Sequence, residues 1–122
     1  MSTSRTPFNN TKELISSAHW CPPCRAFTPK LRQVYLNLQK EGKDFEVIFC
    51  SCDHSQPQFD EYYQSMPWKA IPFDNIDIRR KLDNTFEVEG IPTLILMDEE
   101  GVYNMEGRGD VTSNPNGFPW KN

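Results

Sequence analysis

Two cysteines held apart by two prolines, Cys21-Pro22-Pro23-Cys24, are the residues of this chain best suited to chemistry. Thiols at that spacing close a small disulfide ring or stand open as a dithiol, so the pair can exchange two electrons with another disulfide. Each proline fixes its own φ near about −65° and restricts the residue before it, which stiffens the link. The run from Arg25 to Lys40 reads as a helix. Cys21 then falls at or just before a helix N-terminus, where partial positive charge favours a thiolate. The thiolate is the attacking species, and an ordinary cysteine, with a pKa of about 8.5, is mostly protonated at neutral pH. Cys21 is the expected nucleophile, and Cys24, one turn inward, the more protected partner. Pro-Pro offers no N–H between the cysteines, which predicts a less stabilised thiolate and hence a reductant rather than an oxidant.

Other readings of the cysteines are weaker. Cys21 and Cys24 could form half a zinc site, with Cys50, Cys52, His19 and His54 supplying the rest. Cys50 and Cys52 form a C-x-C, whereas structural zinc prefers about two to four intervening residues. No metal and no other bound cofactor is therefore expected. Cys50 and Cys52 alternate at the end of a buried strand, where inert thiols are the ordinary outcome. Trp20 places a large apolar surface beside Cys21, where it would sit exposed as a contact platform. Trp68, between two prolines, fits a loop anchor and a substrate platform equally well.

The positioning elements follow from periodicity. Thr11 to Ser17, with Leu14 and Ile15, reads as a short strand leading into the cysteines. Pro22 and Pro23 open a helix at its first turn, where a missing N–H costs least. Phe27, Leu31, Val34, Tyr35 and Leu38 share one helical face. Pro29 lies inside that pattern and predicts a kink, and Glu41-Gly42-Lys43 marks the end. Phe45 to Cys52 is nearly continuous in apolar character, as expected of a parallel strand covered on both faces. Asp53, His54 or Ser55 can cap a helix from about Gln56 to Met66, followed by a loop from Met66 to Phe73. Asp74 or Asn75 can cap a third helix to Phe86, with Ile78, Leu82 and Phe86 on one side. Ile91 to Met97 reads as a buried strand, Asp98 to Gly101 as a hairpin turn and Val102 to Glu106 as the returning strand. The segment from Arg108 reads as a tail ending in an apolar Phe118-Pro119-Trp120 cluster. Strand, helix, strand, helix and hairpin imply a mixed sheet flanked by helices, with a βαβ crossover and a site beyond the carboxyl ends of the parallel strands.

The chain has 122 residues, 37% hydrophobic and 25% charged, which fits a single globular domain with residues 1–10 as a loose tail. The net charge of −4, without a basic stripe, argues against nucleic acid or anionic membranes as partners. No apolar run approaches a transmembrane length. The polar segment from Met1 to Lys12 lacks a signal-peptide core. The cytoplasm is the expected compartment, with the nucleus as a second, and a monomer is expected.

The element order, with WCPPC after the first strand and Ile-Pro-Thr before a later one, resembles the thioredoxin fold. Within it, Ser17 to Leu31 (SAHWCPPCRAFTPKL) is similar to the nucleoredoxin and tryparedoxin branch. So are Met66-Pro67-Trp68 with Ile71-Pro72-Phe73, Val88 to Leu94 (VEGIPTL) and Phe118-Pro119-Trp120. The resemblance implies a thiol-disulfide oxidoreductase that reduces protein or peroxidase disulfides, supplied by a dithiol donor or a reductase. It implies that Cys21 is an exposed nucleophile, that Cys24 resolves the mixed disulfide, and that Ile91-Pro92 is cis and faces the cysteines, offering backbone pairing to a bound peptide. It further implies a contact role for Trp20, and a link of Glu89 and Arg108 to a glutathione-derived substrate. The alternative is a redox-sensing, protein-binding module with little turnover. Two departures stand out. Glu13-Leu14-Ile15-Ser16 replaces a more apolar GLYF-type strand, so a shortened first strand is expected. Ile15 occupies the place of the buried aspartate of thioredoxins proper, so proton handling must come from elsewhere, with water and Glu89 as candidates.

Overall fold

The computed structural model describes residues 12–43, 45–98 and 101–120. The expected tail at residues 1–10, Thr11, and Glu99 and Glu100 of the expected hairpin turn lie outside the described residues. In chain order the elements are β1 (Lys12–Ser17), α1 (Pro22–Lys40), β2 (Glu46–Ser51), α2 (Gln56–Tyr63), β3 (Lys69–Ala70), α3 (Ile76–Thr85), β4 (Thr93–Asp98), β5 (Gly101–Asn104) and α4 (Gly107–Ser113). The strands form one mixed sheet in the order β3-β2-β1-β4-β5. β1 pairs parallel with β2, and β2 with β3; β4 runs antiparallel to both β1 and β5.

β1 is the centre of the sheet. It has six residues, as many as β2 and β4, so it is not shortened relative to its neighbours. Its register sets Ser17 opposite Ser51 on one side and Ser16 opposite Thr93 on the other. The carboxyl ends of β1 and β2 and the amino end of β4 therefore meet at one edge. Alternation splits the strands between two faces. Ile15, Val47, Phe49, Leu94 and Leu96 join Phe27, Leu31 and Val34 of α1 and Phe59 and Tyr62 of α2 in the main core. Leu14, Cys50 and Ile95 form a smaller cluster on the other face, against Leu82 of α3 and Phe86 at its C-cap. The expected apolar side of α3 is only partly used, because Ile78 remains exposed.

α1 runs unbroken through Pro29. It ends where Gly42 adopts a φ of +76° and the Lys43 N–H turns back to the Leu38 carbonyl at 2.9 Å. A positive φ there suits glycine, which has no Cβ to clash. Two elements depart from expectation. The Met66–Phe73 loop contains the edge strand β3, pinned by Ile71 N–H to the Phe49 carbonyl at 2.9 Å. The region read as a tail contains α4, which packs on α1 and β4. Gly107 makes this approach possible, since a Cβ there would stand 2.7 Å from the Leu94 carbonyl oxygen. After α4, Phe118 and Trp120 pack on Phe45 at ring distances of 5.6 and 5.8 Å.

Candidate active site

Cys21 is the N-cap of α1, with extended backbone at φ −103° and ψ 108°. Pro22 and Pro23 occupy the first two helical positions and have no N–H. Cys24 is therefore the first residue able to donate, and its N–H points at the Cys21 sulfur at 3.3 Å. Sulfur here does what a serine or aspartate oxygen does at an ordinary N-cap. The donor missing between the cysteines is thus supplied by Cys24 itself. The Cys21 thiol donates to the Ile91 carbonyl at 3.8 Å. The Ile91-Pro92 bond is cis and forms the wall opposite the cysteines.

Cys21 is not exposed as expected, whereas Cys24 is buried, as its place one turn inward predicts. Cys21 is 5% and Cys24 0% exposed, packed with Ala18, Cys52 and Ile91. The cause is this opposing wall, which covers Cys21, whereas Pro22 and Pro23 remain exposed. Burial pushes the Cys24 thiol up to about 11, aided by the hydrogen bond with Cys21 and opposed by the Ser17 hydroxyl and the Ala18 N–H. Cys50 and Cys52 are each pushed up to about 12, chiefly by burial and then by the Asp83 carboxylate. At neutral pH such thiols hold their protons, which fits the inert reading of both. Among the described residues no group of three or more His, Cys, Asp or Glu side chains is arranged to hold a metal.

The segment after β2 clamps the approach to the cysteines. Asp53, buried, accepts the His19 N–H at 2.6 Å and the Ser51 hydroxyl at 2.8 Å. Trp20 donates its indole N–H to the Cys52 carbonyl at 2.9 Å and stacks on His54 at 5.2 Å. These contacts hold Trp20 beside Cys21 with 45% of its surface exposed. Trp68, by contrast, is 3% exposed and set edge-on against Tyr35, so it offers no surface to a substrate. Pairing of β3 with β2 draws that segment onto the sheet, and the Trp68 ring just before it goes into the core. Glu89 is exposed two residues before Ile91, and Arg108 is exposed on the first turn of α4.

Behind Cys24 lies a set of hydroxyls to which the sequence analysis assigns no role. Ser17 and Tyr62 are 2.8 Å apart, Tyr62 and Thr28 2.6 Å, and Thr28 donates to the Cys24 carbonyl at 3.0 Å. Their signal in the sequence is faint: polar side chains at positions whose neighbours are core. Asp53 was read only as one of three possible caps for α2, a role taken by Ser55.

A dithiol at a helix N-terminus, facing a cis-proline at the edge of this sheet, is the arrangement of a thioredoxin-type site. The thioredoxin-like family profile matches residues 12–102, and the chain belongs to that family of oxidoreductases. Nucleoredoxins and a tryparedoxin are among its relatives. It is 43% identical over 113 residues to tryparedoxin of Trypanosoma brucei brucei, covering 89% of this chain and 78% of the relative. It is 41% identical over 107 residues to nucleoredoxin of Danio rerio, covering 85% of this chain and 26% of that protein. The chain thus spans about a quarter of the nucleoredoxin it matches. A solved structure of tryparedoxin II complexed with glutathionylspermidine superposes with a TM-score of 0.86 at 38% identity, covering 94% of this chain and 82% of that one.

Proposed function

We propose that the protein reduces disulfides of protein substrates, peroxidases among them, by dithiol exchange at Cys21 and Cys24. The observation that carries this reading is the Cys24 N–H aimed at the Cys21 sulfur across from the Ile91 carbonyl. Cys21 attacks the substrate disulfide and forms a mixed disulfide; Cys24 then attacks Cys21, closes the ring and releases the reduced substrate. Trp20 forms one wall of the docking surface, and the backbone before Pro92 pairs with the bound peptide. A glutathione-derived thiol is the favoured donor, with Glu89 and Arg108 contacting it; the glutathionylspermidine complex of the related tryparedoxin supports this. No further cofactor enters the reaction, and a monomer in the cytoplasm suffices for it.

Insulin reduction with a panel of donors (glutathione, a bis-glutathionyl dithiol, and a thioredoxin reductase with its reductant) tests the reading. Turnover with at least one donor, its loss in Cys21→Ser and covalent capture of substrates by Cys24→Ser are expected. Absence of turnover with every donor would remove the enzyme reading and leave a redox-sensing binding module.

A further inference from the structure

The α2 side of the dithiol carries charge that dithiol exchange itself does not use. Arg25, Thr28, Pro29 and Arg32 fall at i, i+3, i+4 and i+7, which is one stripe of α1. All four line a groove of about 660 Å³ whose other wall is the end of α2 and the segment from Gln64 to Pro67. The groove begins at the site, since His19, which also lines it, lies two residues before Cys21, and Arg25 follows Cys24.

The charge of this groove is one-sided. Arg25 and Arg32 are exposed, and among the described residues neither is paired with an acid. Glu61 is the only acid among the described residues that line the groove, and it stands 3.5 Å from His19 Nε2. Asp53 is buried and already accepts the His19 N–H and the Ser51 hydroxyl. The hydroxyls of Thr28 and Tyr62 meet each other at 2.6 Å. Pro29 has no N–H, so the Arg25 carbonyl lacks the donor that an ordinary helix supplies four residues on. The wall thus offers two cations and a backbone acceptor on a chain whose net charge is −4.

We propose that the α1–α2 groove binds an acidic segment of the substrate protein beside its target disulfide, with Arg25 and Arg32 as the residues that select it. This rests on the reading of Cys21 as the attacking thiol, which fixes where the target sulfur sits. At about 1.5 Å of rise per residue, Arg25 lies about 6 Å and Arg32 about 16 Å along α1 from Cys21. An extended chain advances about 3.3 Å per residue. Carboxylates about two and about five residues from the target cysteine therefore reach the two guanidiniums, whose fork of N–H donors matches a carboxylate. The same segment can donate a backbone N–H to the Arg25 carbonyl. A basic segment meets like charge at both positions and is disfavoured.

Synthetic peptides whose single cysteine is joined to nitrothiobenzoate test this. Attack by Cys21 of the reduced protein on the peptide sulfur expels the coloured nitrothiobenzoate thiolate and leaves the peptide disulfide-linked to Cys21. One peptide set carries Glu about two and five residues after the cysteine, another carries them before it, and a reference carries Ser. With the wild type at low salt, the acidic peptide of one direction is expected to react about fivefold faster than the reference, the scale of two exposed ion pairs. That advantage should fade as salt rises. Arg32→Glu should abolish or invert the effect of the Glu five residues out, and Arg25→Glu that of the Glu two residues out. Lys30→Glu makes the same charge change on the other side of α1, where Lys30 lies with Val111 and Phe118, and should keep the wild-type ratio. Each rate is divided by that variant's own rate with the reference peptide, so a change in thiol reactivity cancels. No acidic advantage in either direction, or an equal loss in Lys30→Glu and Arg32→Glu, would overturn docking in the groove. Absence of nitrothiobenzoate release from every peptide would instead remove the dithiol reading on which it rests.

Discussion

The four cysteines differ in what surrounds each sulfur, and that difference is measurable. Cys21 has a backbone N–H aimed at it, whereas Cys24, Cys50 and Cys52 are held as thiols, at about 11, 12 and 12, chiefly by burial. Iodoacetamide at neutral pH is therefore expected to modify Cys21 first, with Cys50 and Cys52 reacting only after unfolding; mass mapping that finds Cys50 labelled at the Cys21 rate would refute this. The same groups set an alkaline limit on stability. Each folded thiol binds its proton more tightly than the unfolded one, whose pKa is about 9. Between about pH 9 and 12 the native state holds protons that the unfolded state has lost, so stability falls as pH rises through that window. Below about pH 9 these thiols are protonated in both states and add no slope. Denaturation of the reduced protein at stepped pH should show the fall, shallower in Cys50→Ala; equal slopes would show that Cys50 does not contribute.

At the scale of elements, the site depends on β1 and on the segment following β2. Ile15 of β1 is 1% exposed in the main core, and Leu31 of α1 0%. Leu31→Ala is expected to lose about 2–5 kcal/mol by removing buried methyl groups and leaving a cavity, read from urea midpoints; a loss below about 1 kcal/mol would mean that the core collapses around the gap. Asp53 joins β2 to the approach to α1 through the His19 N–H and the Ser51 hydroxyl. Asp53→Ala leaves those donors without an acceptor, at a cost of about 1–3 kcal/mol. It should also release Trp20, seen as a red shift and loss of anisotropy in its fluorescence once Trp68 and Trp120 are replaced by phenylalanine. Wild-type anisotropy in that background would show that the indole bond to the Cys52 carbonyl suffices alone.

Across the whole molecule, the C-terminal segment closes the fold far along the chain from the cysteines. Trp120 is buried against Phe45 and Phe118, donates to the Asn114 carbonyl at 2.7 Å and gives its own carbonyl to the Asn104 amide at 2.9 Å. Trp120→Ala is expected to cost about 3–5 kcal/mol. It should lower the thermal midpoint while leaving the per-molecule rate of nitrothiobenzoate release at a temperature where the protein is folded. A changed rate there would mean that this segment reaches the site.

What the sequence determined by itself is whatever local chemistry dictates. Two prolines after Cys21 force a helix start without its first donors, and a face of Phe27, Leu31, Val34 and Leu38 commits that helix to a core. The two long apolar strands and the resemblance carried by WCPPC and Ile-Pro-Thr made the sheet and the dithiol legible. The tertiary structure decided what depends on residues far apart in the chain. β3 and α4 are too short to show a period; one exists by pairing with β2 and the other by the room Gly107 leaves at Leu94. Lys12 to Ser17 carries few apolar residues, yet it is the central strand because β2 and β4 both find their partners on it. The burial of Cys21, the core position of Trp68 and the hydroxyl chain behind Cys24 were invisible for the same reason. Ser17 and Tyr62 stand 45 positions apart, and only the packing of α2 on the sheet brings two ordinary hydroxyls within 2.8 Å.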